Sequence, residues 1–226
     1  MPIRAKLYAF TVVALGATTL AFAALEWSGD ESLLRFFACL CLALLGSTFK
    51  IKLPGMESCI TPSFVPLLYA AGTMGWQETT VMAAAAGIMQ SLWRAERRPQ
   101  PIQVAFNGAN LAVAMGAAYA ISHAVAPHQL LVQLAAAGTV FEVLNTLSVS
   151  TVICLFSKAP LSKIWRNCHL WTFPFHLCGA ALAALWIHSD IAMSLSITVL
   201  GAVTLYLMSA FYQELVERAT SVDVEC

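Results

Sequence analysis

Glu142 is the one acidic residue lying well inside an apolar run of this sequence, and Asn145 and Thr146 follow it by three and four positions. In a helix that spacing puts all three on one face. A carboxyl at membrane depth must be protonated or paired, and polar groups there are the first place to look for function. A second row, Gln103, Asn107 and Asn110, has spacings of four and three, again one helical face. His176, two residues after Pro174, supplies an imidazole. At 1.5 Å per residue from the inner ends of their spans, Asn107 and Asn110 come out ~8–12 Å deep, His176 ~9 Å, Asn145 ~16 Å and Glu142 ~21 Å.

Converging, these groups would form a hydrogen-bonding site with one acid–base couple, suited to holding a ligand or responding to a proton. The alternative is that they are interhelical glue, with each bond contributing ~0.6–2 kcal/mol. Catalysis is not expected. No HExxH, GxSxG or phosphate loop is present, and no nucleophile or second acid points at Glu142 and His176. The 7 cysteines form no CxxC pair and no Cys/His cluster at zinc spacing, so neither a metal nor another cofactor is expected. Their odd number argues against a disulfide framework.

The elements that must position these residues are apolar. Of 226 residues, 59% are hydrophobic and 11% charged, with a mean hydropathy of +0.75; soluble domains carry about 25% charged residues. A polytopic all-α membrane bundle is the expected fold class. Eight spans are legible, at 7–25, 32–49, 60–76, 79–93, 102–124, 130–156, 170–188 and 191–212. Most are near the ~20 residues a crossing needs; the third and fourth are short and are expected either to tilt or to begin earlier. The first is longer than a signal-peptide core and has no convincing cleavage site, so it reads as a retained helix. The gaps leave no room for a soluble domain, so residues 1–226 form a single membrane domain, with 213–226 a short cytoplasmic tail.

Charge tests this count. Of the 12 Lys and Arg, all but Arg35 fall on one side of an eight-span arrangement, while Glu26, Asp30, Glu31, Glu78 and Asp190 occupy the opposite loops. Basic loops stay cytoplasmic, which places both termini inside; Arg35, in the first turn of the second span, can snorkel outward. Trp27, Trp76 and Trp186 mark outer ends, and Trp93, Trp165 and Trp171 inner ends, as interfacial anchors do. His123, His128, His169 and His188 lie at span ends and read as interfacial. Formal net charge is +0 and no basic stripe carries interleaved aromatics, so nucleic acid is not an expected partner. Small-residue runs at 83–87, 112–118 and 135–138 allow close helix packing. No internal repeat is evident, which weakens analogy with inverted-repeat transporters. Pro54, Pro62 and Pro66 break the stretch 50–66, which reads as a cytoplasmic loop rather than a re-entrant element.

Several strings carry a resemblance. Residues 91–110, Ser-Leu-Trp-Arg-Ala-Glu-Arg-Arg-Pro-Gln-Pro-Ile-Gln-Val-Ala-Phe-Asn-Gly-Ala-Asn, resemble the helix–basic loop–helix segment in N-terminal membrane regions of some bacterial cyclic-di-GMP signalling proteins. The Lys52-Leu-Pro-Gly55 turn and Trp171-Thr-Phe-Pro-Phe-His-Leu-Cys-Gly-Ala180 are similar to other parts of those regions, and the likeness runs over most of 35–210. It implies a sensor module of the bacterial inner membrane, of the kind that precedes HD-GYP or GGDEF output domains. The tail at 213–226 is too short for such a domain, so action through a separate cytoplasmic signalling partner is expected.

The leading expectation is thus a non-catalytic sensor or ligand-binding module. Its site would comprise Glu142, Asn145, Asn107, Asn110, His176 and Gln103, with the loop at 94–101 or the tail passing the signal on. The alternatives are a small-solute transporter or its substrate-binding membrane subunit, and a structural membrane protein whose polar groups are only glue. The eight-span count has a direct test: a reporter fused after Cys226 is expected to read as cytoplasmic, and a periplasmic readout would show the count to be wrong.

Overall fold

The computed structural model describes residues 2–27, 32–52, 59–93, 95, 98–157, 159–168 and 172–189. Among them the chain forms α1 (Ile3–Leu25), α2 (Leu33–Thr48), β1 (Ile51–Lys52), β2 (Cys59–Ile60), α3 (Phe64–Thr73), α4 (Trp76–Leu92), α5 (Pro101–Val125), α6 (Leu130–Ser157), α7 (Leu161–Cys168) and α8 (Phe173–His188). The span expected at 191–212 and the tail after it lie outside the described residues.

α1, α5 and α6 are long and apolar enough to cross a membrane, and α2, α3 and α8 are apolar but shorter. The distribution of residue sizes points the same way. α1 turns Ala5, Ala9, Val12, Gly16 and Ala23 inward, while Leu7, Phe10, Leu15 and Phe22 point out. α2 exposes Leu34, Phe37 and Leu45 and buries Cys39, Ala43 and Ser47, with Phe36 the one large apolar side chain that it turns inward. Large apolar side chains outside and small ones inside suit hydrocarbon as the surrounding solvent, because helices in lipid associate through close packing rather than through hydrophobic burial.

α5 is the central helix, packing on α4, α6 and α1, while α8 packs on α6 and α3. The α4–α5 crossing is a small-residue seam. A Cβ on Gly87 would stand 2.6 Å from the Asn107 carbonyl oxygen, and one on Gly108 3.3 Å from that of Ala84. This approach brings the polar ends of the two helices together.

Four local features differ from the sequence expectation. α4 starts at Trp76, three residues before the expected 79, so Glu78 belongs to its first turn and is buried, at 2% exposure, rather than sitting in an outer loop. The positive end of the helix dipole favours an acid there. In the segment 50–66, β1 and β2 pair antiparallel, with Ile51 opposite Ile60 and Lys52 opposite Cys59, and α3 does not begin until Phe64. α7 is a separate amphipathic helix in a stretch read as a loop; it buries Ile164 and exposes Lys163 and Arg166. Finally, His123 is not a loose interfacial group, since it stacks on Tyr119 with ring centroids 3.8 Å apart and bonds Gln133 at 2.6 Å.

The glycines give opposite predictions at two sites. Gly87→Ala drives a methyl into the backbone of α5 and is expected to destabilise by ~1–3 kcal/mol. At Gly116 the nearest atoms to a new Cβ lie at an ordinary 3.5 Å, so Gly116→Ala is expected to stabilise by ~0.5–1 kcal/mol through helix propensity. Equilibrium unfolding of the two variants in mixed micelles checks both signs.

Candidate functional site

The site is built where α6 meets α8. Glu142, 4% exposed, sits on α6, and His176, 6% exposed, on the second turn of α8. Glu142 Oε2 lies 3.1 Å from His176 Nε2, and the Thr172 hydroxyl, from the turn that opens α8, donates to Glu142 Oε1. His176 Nδ1 stands 3.1 Å from the Thr172 carbonyl. A carbonyl only accepts, so Nδ1 carries its hydrogen. One further proton is then shared between Oε2 and Nε2, and the pair is either a neutral acid–imidazole bond or a carboxylate–imidazolium ion pair.

Packing fixes the imidazole. The Phe64 ring lies against it at 4.4 Å with a 31° tilt, and the ring fits there because residue 179, one turn further along α8, is glycine; a Cβ at that position would overlap the phenyl. Phe141 flanks the imidazole at 6.2 Å. On the other side of Glu142, the Thr146 hydroxyl donates to the Glu142 carbonyl at 2.6 Å and accepts the Trp165 indole N–H at 3.0 Å. Through that indole, α7 is fastened over the end of the site.

The amides complete it. Asn110 Nδ2 donates to Asn145 Oδ1 at 2.6 Å, joining α5 to α6. Asn107 Nδ2 donates to Ser91 Oγ at 2.7 Å, joining α5 to α4. Gln90 Nε2 reaches Thr61 Oγ1 at 2.7 Å and Ser63 Oγ at 3.0 Å. Beside them lies a cavity of about 240 Å³ whose walls include Glu142, Asn145, Thr146, Asn107, Gln90 and His176. Thr61 and Ser63, in the stretch that leads into α3, also line this cavity.

Four of the residues expected from sequence, Glu142, Asn145, Asn107 and His176, meet on this cavity. Asn110 stands behind Asn145 and orients it. Gln103 does not join them: it is exposed, its Oε1 accepts the Gln100 N–H at 2.9 Å to cap α5, and it lines a separate outer cavity. The physical reason is its place in the first turn of α5, where backbone N–H groups lack intrahelical acceptors. Sequence reasoning missed Gln90, Thr61, Ser63, Phe64 and Thr172. All lie at the ends of short apolar runs, where a polar residue reads as interfacial. Their one advance signal was Gln90-Ser91 closing an otherwise small and apolar helix.

The layer differs from the depths given by counting. Glu142 and His176 touch, although counting separated them by ~12 Å, more than two helical turns. α6 has 28 residues, ~42 Å at 1.5 Å per residue against a ~30 Å hydrocarbon core, so counting from its end overstates depth.

No family model, no curated protein and no solved structure matches this chain.

Removing one partner of a buried pair leaves the other without compensation, so Glu142→Ala is expected to cost ~3–5 kcal/mol. Glu142→Gln keeps an oxygen to accept from Thr172 and is expected to cost less, ~1–3 kcal/mol. Unfolding in a denaturing detergent titration orders the two; an equal cost would show that the retained amide oxygen recovers none of the carboxyl's bonding.

Proposed function

We propose that this protein is a non-catalytic ligand-binding module of the bacterial inner membrane, with eight spans and both termini cytoplasmic, acting as a sensor through a separate partner. The charge segregation described above supports the topology, and α1, α5 and α6 are long and apolar enough to cross a membrane. The likeness of residues 91–110 to membrane regions of cyclic-di-GMP signalling proteins supports the sensor role.

One observation carries the binding reading: a buried carboxyl–imidazole pair lines a cavity together with three side-chain amides from different helices. Glue alone requires that these groups satisfy one another, whereas here they do so around a space. The walls come from α3, α4, α5, α6 and α8, so an occupant touches most of the bundle at once. Trp165 supplies a route outward, because it links the cavity residue Thr146 to α7, whose Lys163 and Arg166 are exposed to a cytoplasmic partner or to anionic headgroups.

Thermal unfolding of the purified protein against a metabolite panel tests this. A ligand present at a hundred times its Kd adds ~2.7 kcal/mol of stability. At least one compound is expected to raise the midpoint for the natural chain and to lose most of that effect in Glu142→Gln. No response to any compound, with unchanged stability in that variant, would sink the binding reading. A transporter ATPase encoded beside the gene would favour a substrate-binding subunit, and a cyclic-di-GMP or kinase partner the sensor.

A further inference from the structure

Beside the polar cavity lies a second one of about 750 Å³, bounded by α1, α5, α6 and the end of α4. Its walls are mostly apolar: Ala9, Ile102, Phe106, Val152, Ile153 and Phe156. Asn107 and Val149 line both cavities, so the two are separated by little more than these side chains. Resting on the binding role proposed for the polar cavity, we propose that its ligand is a neutral amphiphile, with a hydroxylated head among Glu142, Asn145 and Asn107 and an acyl-type tail in the outer cavity.

Size is the first argument. Ligand sites usually measure about 300–1,000 Å³, and the inner cavity alone, at about 240 Å³, falls below that range. The outer one is large enough to supply the remainder, but it offers an occupant mainly hydrocarbon. Sites of this kind, polar at one end and apolar at the other, match molecules with the same division.

The head is defined by the hydrogen-bonding groups left over. Asn145 gives its oxygen to Asn110, which leaves its NH₂ as a donor toward the cavity. Asn107 and Gln90 spend their NH₂ groups on Ser91, Thr61 and Ser63, which leaves their oxygens as acceptors. A head that fits must both donate and accept, as hydroxyl groups do. Among the described lining residues there is no Lys or Arg, and His176 is already paired with Glu142, so a phosphate or carboxylate head would meet oxygens rather than cations. A bond from the Tyr8 hydroxyl to Ser148 Oγ at 3.2 Å ties α1 to α6, two of the helices that bound the apolar space.

The test uses dodecanoyl monoacylglycerol as the probe, with glycerol as its tail-free counterpart, and the full chain in phosphatidylcholine nanodiscs. Two variants are crossed: Glu142→Gln alters the inner cavity, and Val152→Trp fills the outer one from a position that does not line the inner cavity. Ile153→Trp repeats the second test if Val152→Trp does not fold. The natural chain is expected to bind one monoacylglycerol, and each variant to bind it about tenfold more weakly or worse, with glycerol binding far more weakly than the tailed probe. Loss in Glu142→Gln alone would keep the polar site and overturn the tail assignment. Loss in the outer variants alone would make the groove an independent site for lipid chains and overturn the single ligand. Equal binding of glycerol and the tailed probe, or no binding of the monoacylglycerol, would overturn the proposal, while a panel metabolite that depends on Glu142 would still support the binding role.

Discussion

A carboxyl buried within a helix bundle whose outer surface is apolar has to be answered by partners inside that bundle, and Glu142 sets this requirement for everything around it. Burial of a charge without compensation costs several kcal/mol, so the side chain is neutralised, paired or both. Here the answer comes from one helix. The opening of α8 brings Thr172 to one carboxyl oxygen and His176 to the other, and the backbone carbonyl of Thr172 turns the imidazole so that Nε2 faces the acid. Glycine at 179 then admits Phe64, and Phe64 holds the imidazole in place. Each step depends on the one before it, which is why residues from α3, α6 and α8 form one unit.

Small residues make the rest of the site possible. Polar rows on neighbouring helices can bond directly only if their backbones approach closely, and the α4–α5 seam at Gly87 and Gly108 provides that approach. Asn107 on one side and Ser91 on the other are then within 2.7 Å. The same economy of size sends Leu, Phe and Ile outward on α1 and α2, where hydrocarbon accepts them. Membrane association and site assembly therefore share a cause: the helix faces that would repel lipid are used up inside the bundle.

The sequence revealed the large apolar elements and the polar rows well, because both depend on periodicity within one helix. The spans read at 102–124 and 130–156 match α5 and α6 to within a residue at each end, and Glu142, Asn145 and Thr146 line one cavity, as their spacing on one helical face allows. What was not legible depends on contacts between helices or on helix ends. Gln103 shares a face with Asn107 but sits where an N-terminus needs a cap. Thr172 lies just before its helix, with no periodic pattern to mark it. α7 is too short for its amphipathic pattern to separate from a basic loop, and Trp165, read as an interfacial anchor, instead donates to Thr146. The pairing of α6 with α8 at Glu142 is a tertiary fact that no single-helix pattern encodes.

The central claim is that Glu142 and His176 act as one coupled unit rather than as two independently buried side chains. A double-mutant cycle, combining Glu142→Ala and His176→Ala with unfolding free energies measured in the same micelles, reads that coupling directly. Side chains in contact or sharing one network couple by ~0.5–3 kcal/mol, and a favourable value in that range is the expected result. Costs that add to within ~0.3–0.5 kcal/mol, as for distant sites, would contradict it.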